Sequence, residues 1–405
     1  FPYNFTVSSL GTVGGSSKRR VLISGDFTVR VQKDNFARYA LFTNHHGMPS
    51  GSTVWFINFT NFTGPLHTNE RYSFAFNPSG TFDGLVTQHL TTARFFNNGS
   101  PILADADSNP PRDVPIFNAD YNRGVNQINL ESSVTQQDLM DQTRGGDRSA
   151  ISNGVYVPNS GGNLTGGIFV KGDGTVQMGV DADGNAKYTA TQGTTTKNIT
   201  VNRTTQQTTV QTVGGSTETY SGLPDGVDNV GTIIYVDGAI NSLKGTVQKD
   251  TEVTVSSQND IIFTDNVVYQ EYNAGPPINA DDKTNLLGIV SWGGNVRVGT
   301  TAPNDVNIHG TVMARNGIFT VDGYNSGAPR GTATLLGGAI TDFYGAFGQF
   351  NSSTGQVVHG YGRNFVYDSR MATGKSPPYF PSMRTFIAFT NDITDKINWQ
   401  EGGSS

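Results

Sequence analysis

The stretch Ile233-Ile234-Tyr235-Val236-Asp237-Gly238 opens a series of short apolar segments: Thr251-Glu252-Val253-Thr254-Val255, Asp260-Ile261-Ile262-Phe263-Thr264-Asp265, Leu287-Gly288-Ile289-Val290-Ser291-Trp292, Val306-Asn307-Ile308-His309-Gly310-Thr311-Val312-Met313-Ala314 and Thr334-Leu335-Leu336-Gly337-Gly338-Ala339-Ile340. Each is rich in β-branched and aliphatic residues, is bounded by Gly, Asn or Asp, and is too short to stand as an independent sheet. Stacked rung upon rung, such segments gain hydrogen-bonding neighbours and share one core, which is the logic of a β-solenoid. Their spacing is irregular, so no fixed repeat period is read.

The same texture extends back to Val54-Trp55-Phe56-Ile57, Gly64-Pro65-Leu66-His67-Thr68-Asn69 and Tyr72-Ser73-Phe74-Ala75-Phe76. Residues 151–220 read as plain β-hairpins, with a turn at Asp181-Ala182-Asp183-Gly184-Asn185 between alternating runs. Residues 96–148 are less regular and read as a long excursion, with a short helix at Gln136-Gln137-Asp138-Leu139-Met140-Asp141. At the start, Phe5-Thr6-Val7 and Val21-Leu22-Ile23 to Val31 alternate around Gly14-Gly15-Ser16-Ser17, which predicts a hairpin of two long strands. Asp34 to Phe42 is the best helical candidate, capped by Asp34 or Asn35, with Phe36, Tyr39 and Ala40 on one face. After Pro377-Pro378, the compact strand Arg384-Thr385-Phe386-Ile387-Ala388-Phe389-Thr390 is expected to rejoin the amino-terminal hairpin, leaving the solenoid as an insertion.

Composition agrees with an all-β chain: 15% of the 405 residues are charged and 50 are Gly. There is no Cys, so neither disulfides nor thiolate metal sites hold the fold. No stretch reaches the roughly 20 apolar residues that span a bilayer. The net charge of −6 gives no global attraction for nucleic acid, so any phosphate site must be a local patch. The terminal Gly402-Gly403-Ser404-Ser405 reads as a linker remnant.

Motifs for chemistry are few. No Gly-x-Ser-x-Gly elbow or Cys nucleophile is present, so no catalytic residue is assigned. His45-His46 beside Gly47 suits a polar turn and lacks a third ligand at metal-site spacing, so no metal is assigned. Asp181 to Asn185 and Asp105-Ala106-Asp107-Ser108-Asn109 offer alternating oxygens, but without the distal Glu of a calcium loop they read as turns. Asp237, Asp260, Asp265, Asp305, Asp322 and Asp342 are the carboxylates that a solenoid lyase or glycosidase would need, yet they sit at strand ends where Asp is ordinarily a turn residue. The basic residues Lys18, Arg19, Arg20, Lys33, Lys244, Lys249, Arg363 and Lys375 form no dense run.

Lys33-Asp34-Asn35-Phe36-Ala37-Arg38-Tyr39-Ala40-Leu41-Phe42-Thr43-Asn44, Gly64 to Asn69, Gly231-Thr232-Ile233-Ile234-Tyr235-Val236-Asp237-Gly238-Ala239-Ile240-Asn241-Ser242-Leu243, Asn259 to Thr264 and Pro377-Pro378-Tyr379-Phe380-Pro381 together resemble the ComZ-type competence pilins of Thermus-like bacteria, minor pilins of type IV pili. The resemblance implies a mainly β protein with a large β-solenoid (45–376) inserted into a small α+β pseudopilin-like domain made of 1–44 and 377–401, with 402–405 as linker. It implies display on an extracellular pilus with other pilins, and membrane attachment only through an amino-terminal helix that nothing here matches. It further implies a non-catalytic receptor for double-stranded DNA that uses no cofactor. Lys18, Arg19, Arg20, Lys33, Lys244, Lys249, Arg363 and Lys375 are then the candidate phosphate contacts, made without base readout. A structural pilus subunit or adhesin that binds a glycan or surface is the second reading, and a carbohydrate-active enzyme the third.

Overall fold

The computed structural model describes residues 2–13, 17–58, 60–76, 80–97, 100–105, 113–270, 283–351, 353–390 and 398–402. The chain divides into two units, Phe1–Asp34 with Ser382–Ser405, and Asn35–Pro381.

In the small unit, Pro2–Val13 pairs antiparallel with Ser17–Asn35, from Pro2↔Thr28 to Val13↔Ser17. Ser382–Thr390 and Asn398–Gly402 pair with the same long strand. An α+β unit was expected; every described residue of this one is in a strand.

The large unit is a parallel solenoid with three inward columns. On the first face Ile168, Ile234, Val255, Ile289, Val312, Ala339, Leu41, Leu66 and Val86 sit in register on successive strands. The second carries Ile240, Ile261, Val296, Phe319 and Tyr344. The third carries Val267, Ile308, Leu335, Phe365, Phe62, Phe82 and Phe117. All three belong to one buried cluster with few exceptions, Phe117 being partly exposed. Such ladders of alternately inward residues are what a period-2 pattern buys when strands stack in register.

Rung order does not follow chain order. The chain enters mid-solenoid at Leu41–His45, winds outward to Tyr121–Arg123, and restarts at the opposite end near Gly154–Tyr156. It then winds back until Pro329–Tyr344 lies beside Leu41–His45, with Ala339 opposite Leu41. A seam between two remote chain segments therefore crosses the middle of the solenoid.

A strap closes the circuit. Val125 N–H donates to Gln88 O at 3.2 Å, and Asn69 clasps Ile128 at both its N–H (2.9 Å) and its O (2.7 Å). At the strap's far end, Gln136 Nε2 donates to Tyr235 Oη at 2.7 Å. Seven ladder steps separate the Gln88 and Tyr235 strands, about 34 Å at the usual strand spacing. The strap covers that distance with local turns closed by Asn129 and Ser132 along it. It ends in the helix Gln136–Arg144, capped by a Thr135/Asp138 box and by Gly145 at φ 68°, which covers the outward-facing, stacked rings of Phe169 and Tyr235.

Two devices hold the corners. Asp173 Oδ1 accepts the Ala239 N–H at 2.8 Å, Asp260 Oδ1 that of Asn295 at 2.8 Å, and Asn295 Oδ1 that of Ile318 at 3.0 Å. These short side chains satisfy backbone groups that the bend takes out of the ladder. Gly337, at φ 147°, passes so close to Gly310 that a Cβ would lie 2.1 Å from the Gly310 oxygen. The hairpins of 174–221 extend the second face as an antiparallel meander and bury Val176, Met178, Tyr188, Ile199 and Val201, the kind of cap that a solenoid end requires.

Two further sequence expectations change. The helix foreseen over Asp34–Phe42 is a single 3₁₀ turn, Phe36–Arg38, capped by Asn35, followed by the strand Leu41–His45. Ladder partners on both sides, Ala339 and Leu66, outweigh a weak helical propensity. The division between units falls at 34/35 and 381/382 rather than at 44/45 and 376/377, because Leu41–His45 is a rung of the solenoid and Thr254 Oγ1 donates to Pro378 O.

Candidate functional site

The seam builds the most open chemistry of the large unit. Beyond His45 the chain makes a tight finger: Gly47 bridges Thr53, Met48 N–H donates to Ser52 O at 2.9 Å, and Gly51 turns at φ 82°. The facing wall comes from the other chain segment. Asn44 Nδ2 donates to Asp342 Oδ1 at 2.9 Å, the His45 ring stacks on Phe343 at 4.4 Å, and Tyr344 N–H donates to Gly47 O at 3.1 Å. The finger stands between two cavities that share Met48, Ser52 and Thr53 as lining.

The first cavity, about 310 Å³, is lined by His45, His46, Glu70, Arg71, Arg94 and Ser73 among others. Glu70 is already engaged: Oε1 lies 3.0 Å from His45 Nδ1 and Oε2 accepts the His46 N–H at 2.9 Å. Arg71 donates one N–H to Thr92 Oγ1 at 2.6 Å and Arg94 one to Thr53 Oγ1 at 2.7 Å. Among the described residues neither guanidinium has a carboxylate partner. His46 is 5% exposed, and its ring lies 4.8 Å from Phe56, 4.8 Å from Tyr72 and 5.0 Å from Tyr344. Among the described residues neither ring nitrogen has a hydrogen-bond partner. Burial, with lesser contributions from the positive charges of Arg363 and Arg94, lowers its pKa to about 3, so the ring is neutral.

The second cavity, about 470 Å³, presents the partly exposed rings of Trp55, Tyr324 and Phe350 around Gln349 and Arg363. Edge-to-face contacts of Trp55 with Phe96 at 5.8 Å and of Phe350 with Phe76 at 5.5 Å hold the rings in place. Arg363 lies over the Tyr344 ring at 5.0 Å, bonds Tyr344 Oη, and donates to Trp55 O at 3.3 Å.

A third cleft of about 480 Å³ lies between the helix end and the meander. Its charges answer one another: Tyr220 Oη donates to Glu218, Arg144 bonds Ser149 O and lies 5.3 Å from the Phe169 ring centroid, and Lys197 feels Glu218.

Of the basic residues singled out in the sequence, the side chains of Lys18, Arg19 and Lys33 lie outside the described ones. Arg20 is exposed on the long strand of the small unit. Lys244 is half-buried in Ile240–Val247, Lys249 is exposed in the next turn, and Lys375 is exposed after the 3₁₀ segment Ser369–Thr373. Arg363 is separated from the strand of Lys244 by four ladder steps, roughly 19 Å; within the large unit the four are not one patch. Arg370 is a buried staple bonded to both Asp368 oxygens and to the carbonyls of Lys283 and Asn285.

Apart from Asp342 at the seam, the acidic candidates serve corners. Asp260 and Asp322 share Arg297 at 3.0 and 2.8 Å, Asp237 holds Lys171 at 2.5 Å, Asp305 accepts the Thr332 N–H, and Asp265 that of Asn266. Asp181 closes its hairpin turn by accepting from Asn185 and Asp183; most of the 105–109 turn lies outside the described residues. His46, Arg71, Arg94, Tyr324 and Phe350 were not singled out as binding residues. His46 lies just beyond the strand Leu41–His45, and alternation from the inward Leu41 would have turned His45 rather than His46 to the core, so no local signal marked it.

Fold and groove together define a mainly-β solenoid protein with a ligand-sized cleft at its seam. A family model described as a domain of unknown function (DUF4900) matches residues 1–89, which include the finger, Trp55, Glu70 and Arg71 but not Arg94 or the opposite wall. No curated protein and no solved structure matches the chain.

Proposed function

We propose that the chain is a non-catalytic binding protein whose solenoid holds a saccharide in the seam groove, the reading that stood second in the sequence. The observation that carries it is the wall of the larger cavity. Aromatic rings receive the C–H face of a sugar ring, while Gln349 and Arg363 offer planar donors to its hydroxyls. A volume of about 470 Å³ lies within the range of small-ligand sites. The pilus-borne DNA receptor implied by the resemblance calls on basic residues that within the large unit do not form one patch, and a backbone of regularly spaced phosphates needs a row of cations. The enzyme reading needs a free pair of carboxylates, whereas the candidate Asp residues are each bonded, five of them at corners and Asp342 to Asn44 in the seam.

The test is an oligosaccharide panel followed by titration calorimetry on the whole chain. Trp55→Ala and Tyr324→Ala are expected to weaken the best ligand at least tenfold with unchanged circular dichroism. A panel without any saccharide ligand, or binding indifferent to both substitutions, overturns the reading.

A further inference from the structure

Resting on that saccharide reading, we infer that the smaller seam cavity is a seat for an anionic substituent, so that the groove selects acidic saccharides, uronate or sulfate-bearing, over neutral ones. Arg71 and Arg94 converge on one cavity, each spending a single N–H on a threonine hydroxyl. A guanidinium carries five donors, and its fork matches a carboxylate or sulfate two bonds at a time. The resident acid does not compete for them, since both oxygens of Glu70 are held by His45 and by the His46 backbone. Behind the seat the neutral imidazole of His46 packs into the core on Phe56, Tyr72 and Tyr344, so the charge of the cavity is set by Arg71 and Arg94 against Glu70.

The finger makes the two cavities one site. Thr53 accepts from Arg94 on one side and lines the aromatic cleft on the other, so its own hydroxyl hydrogen remains available to a ligand that crosses it. A saccharide whose ring lies on Trp55 brings a substituent over Ser52 and Thr53 toward Arg71 and Arg94. Nucleic acid fits less well, because two guanidiniums focused on one concave spot beside Glu70 do not make a track for successive phosphates.

The experiment uses the whole chain with four probes: a hexuronate oligosaccharide, its neutral counterpart, inorganic sulfate and a DNA oligonucleotide. The expected result is that the hexuronate binds at least tenfold more tightly than the neutral sugar, with an advantage that shrinks as salt rises. Arg94→Gln and Arg71→Gln should remove that advantage while leaving neutral binding within about twofold, and Arg94→Lys should restore it only in part. Sulfate should raise the melting temperature of the wild type and not of the Gln variants. Equal affinity for acidic and neutral sugars overturns the seat and leaves the saccharide reading standing. Sulfate stabilisation that depends on both arginines, without any saccharide binding, keeps the seat and overturns the saccharide reading. DNA binding that is lost in the Gln variants overturns the acidic-saccharide assignment in favour of phosphate.

Discussion

His46 continues the column of Ile240, Ile261, Val296, Phe319 and Tyr344 at the rung where the two chain segments meet. A neutral imidazole without partners forgoes hydrogen bonds that water would supply, and this sets a pH dependence whose sign is fixed. Its folded pKa, about 3, lies below the ordinary 6.5, so between these values the unfolded chain binds a proton that the folded chain refuses. Stability is therefore full above about pH 6.5 and falls as pH drops toward 3, by about 2 kcal/mol between pH 8 and pH 5 from this residue. His309, lowered by burial to about 4, adds a loss of the same sign. Urea titrations at pH 8 and pH 5 should show His46→Phe losing about 2 kcal/mol less than the wild type over that interval. Identical losses would mean that the ring is protonated in the folded state.

At the scale of elements, alternation of apolar residues made most strands legible, and the hairpin Gly174–Val180 with Ala186–Gln192 stands where Asp181 to Asn185 foretold a turn. Rung order was not legible. The contact of Asn44 with Asp342 spans 298 residues, and no local propensity encodes which rung a strand of given pattern will join. Leu41–His45 shows the same limit, since its strand state comes from neighbours on either side rather than from Phe36, Tyr39 and Ala40. The strap was read as irregular because it has no periodicity; its order comes from side chains, above all Asn69, which also bonds His67 Nε2 at 2.9 Å and Asn44 Oδ1 at 3.0 Å. Asn69→Ala should cost about 1–3 kcal/mol by leaving buried partners unpaired. It should also raise amide exchange at Val125 and Ile128 while the Leu66 and Val86 rungs stay protected. Uniform loss of protection would show that the strap is no separate element.

For the whole molecule, the buried cluster decides what folds alone. Its members run from Ala40 to Phe365, all within Asn35–Pro381, so among the described residues every member of the cluster belongs to the large unit. Both groove walls are internal to the same range, and the meander and strap that cover end and flank are included in it. A unit with its own core folds independently, and nearest-neighbour stacking confines the effect of a missing appendage to the rungs it touches. The fragment 35–381 is therefore expected to express as a soluble protein with a strand-dominated circular dichroism spectrum. It should melt in one transition within a few degrees of the whole chain and retain the affinity of the seam groove. A fragment that melts far lower, or that keeps its spectrum but loses the ligand, would show that the small unit completes the solenoid, and the groove would then have to be sought with both units present.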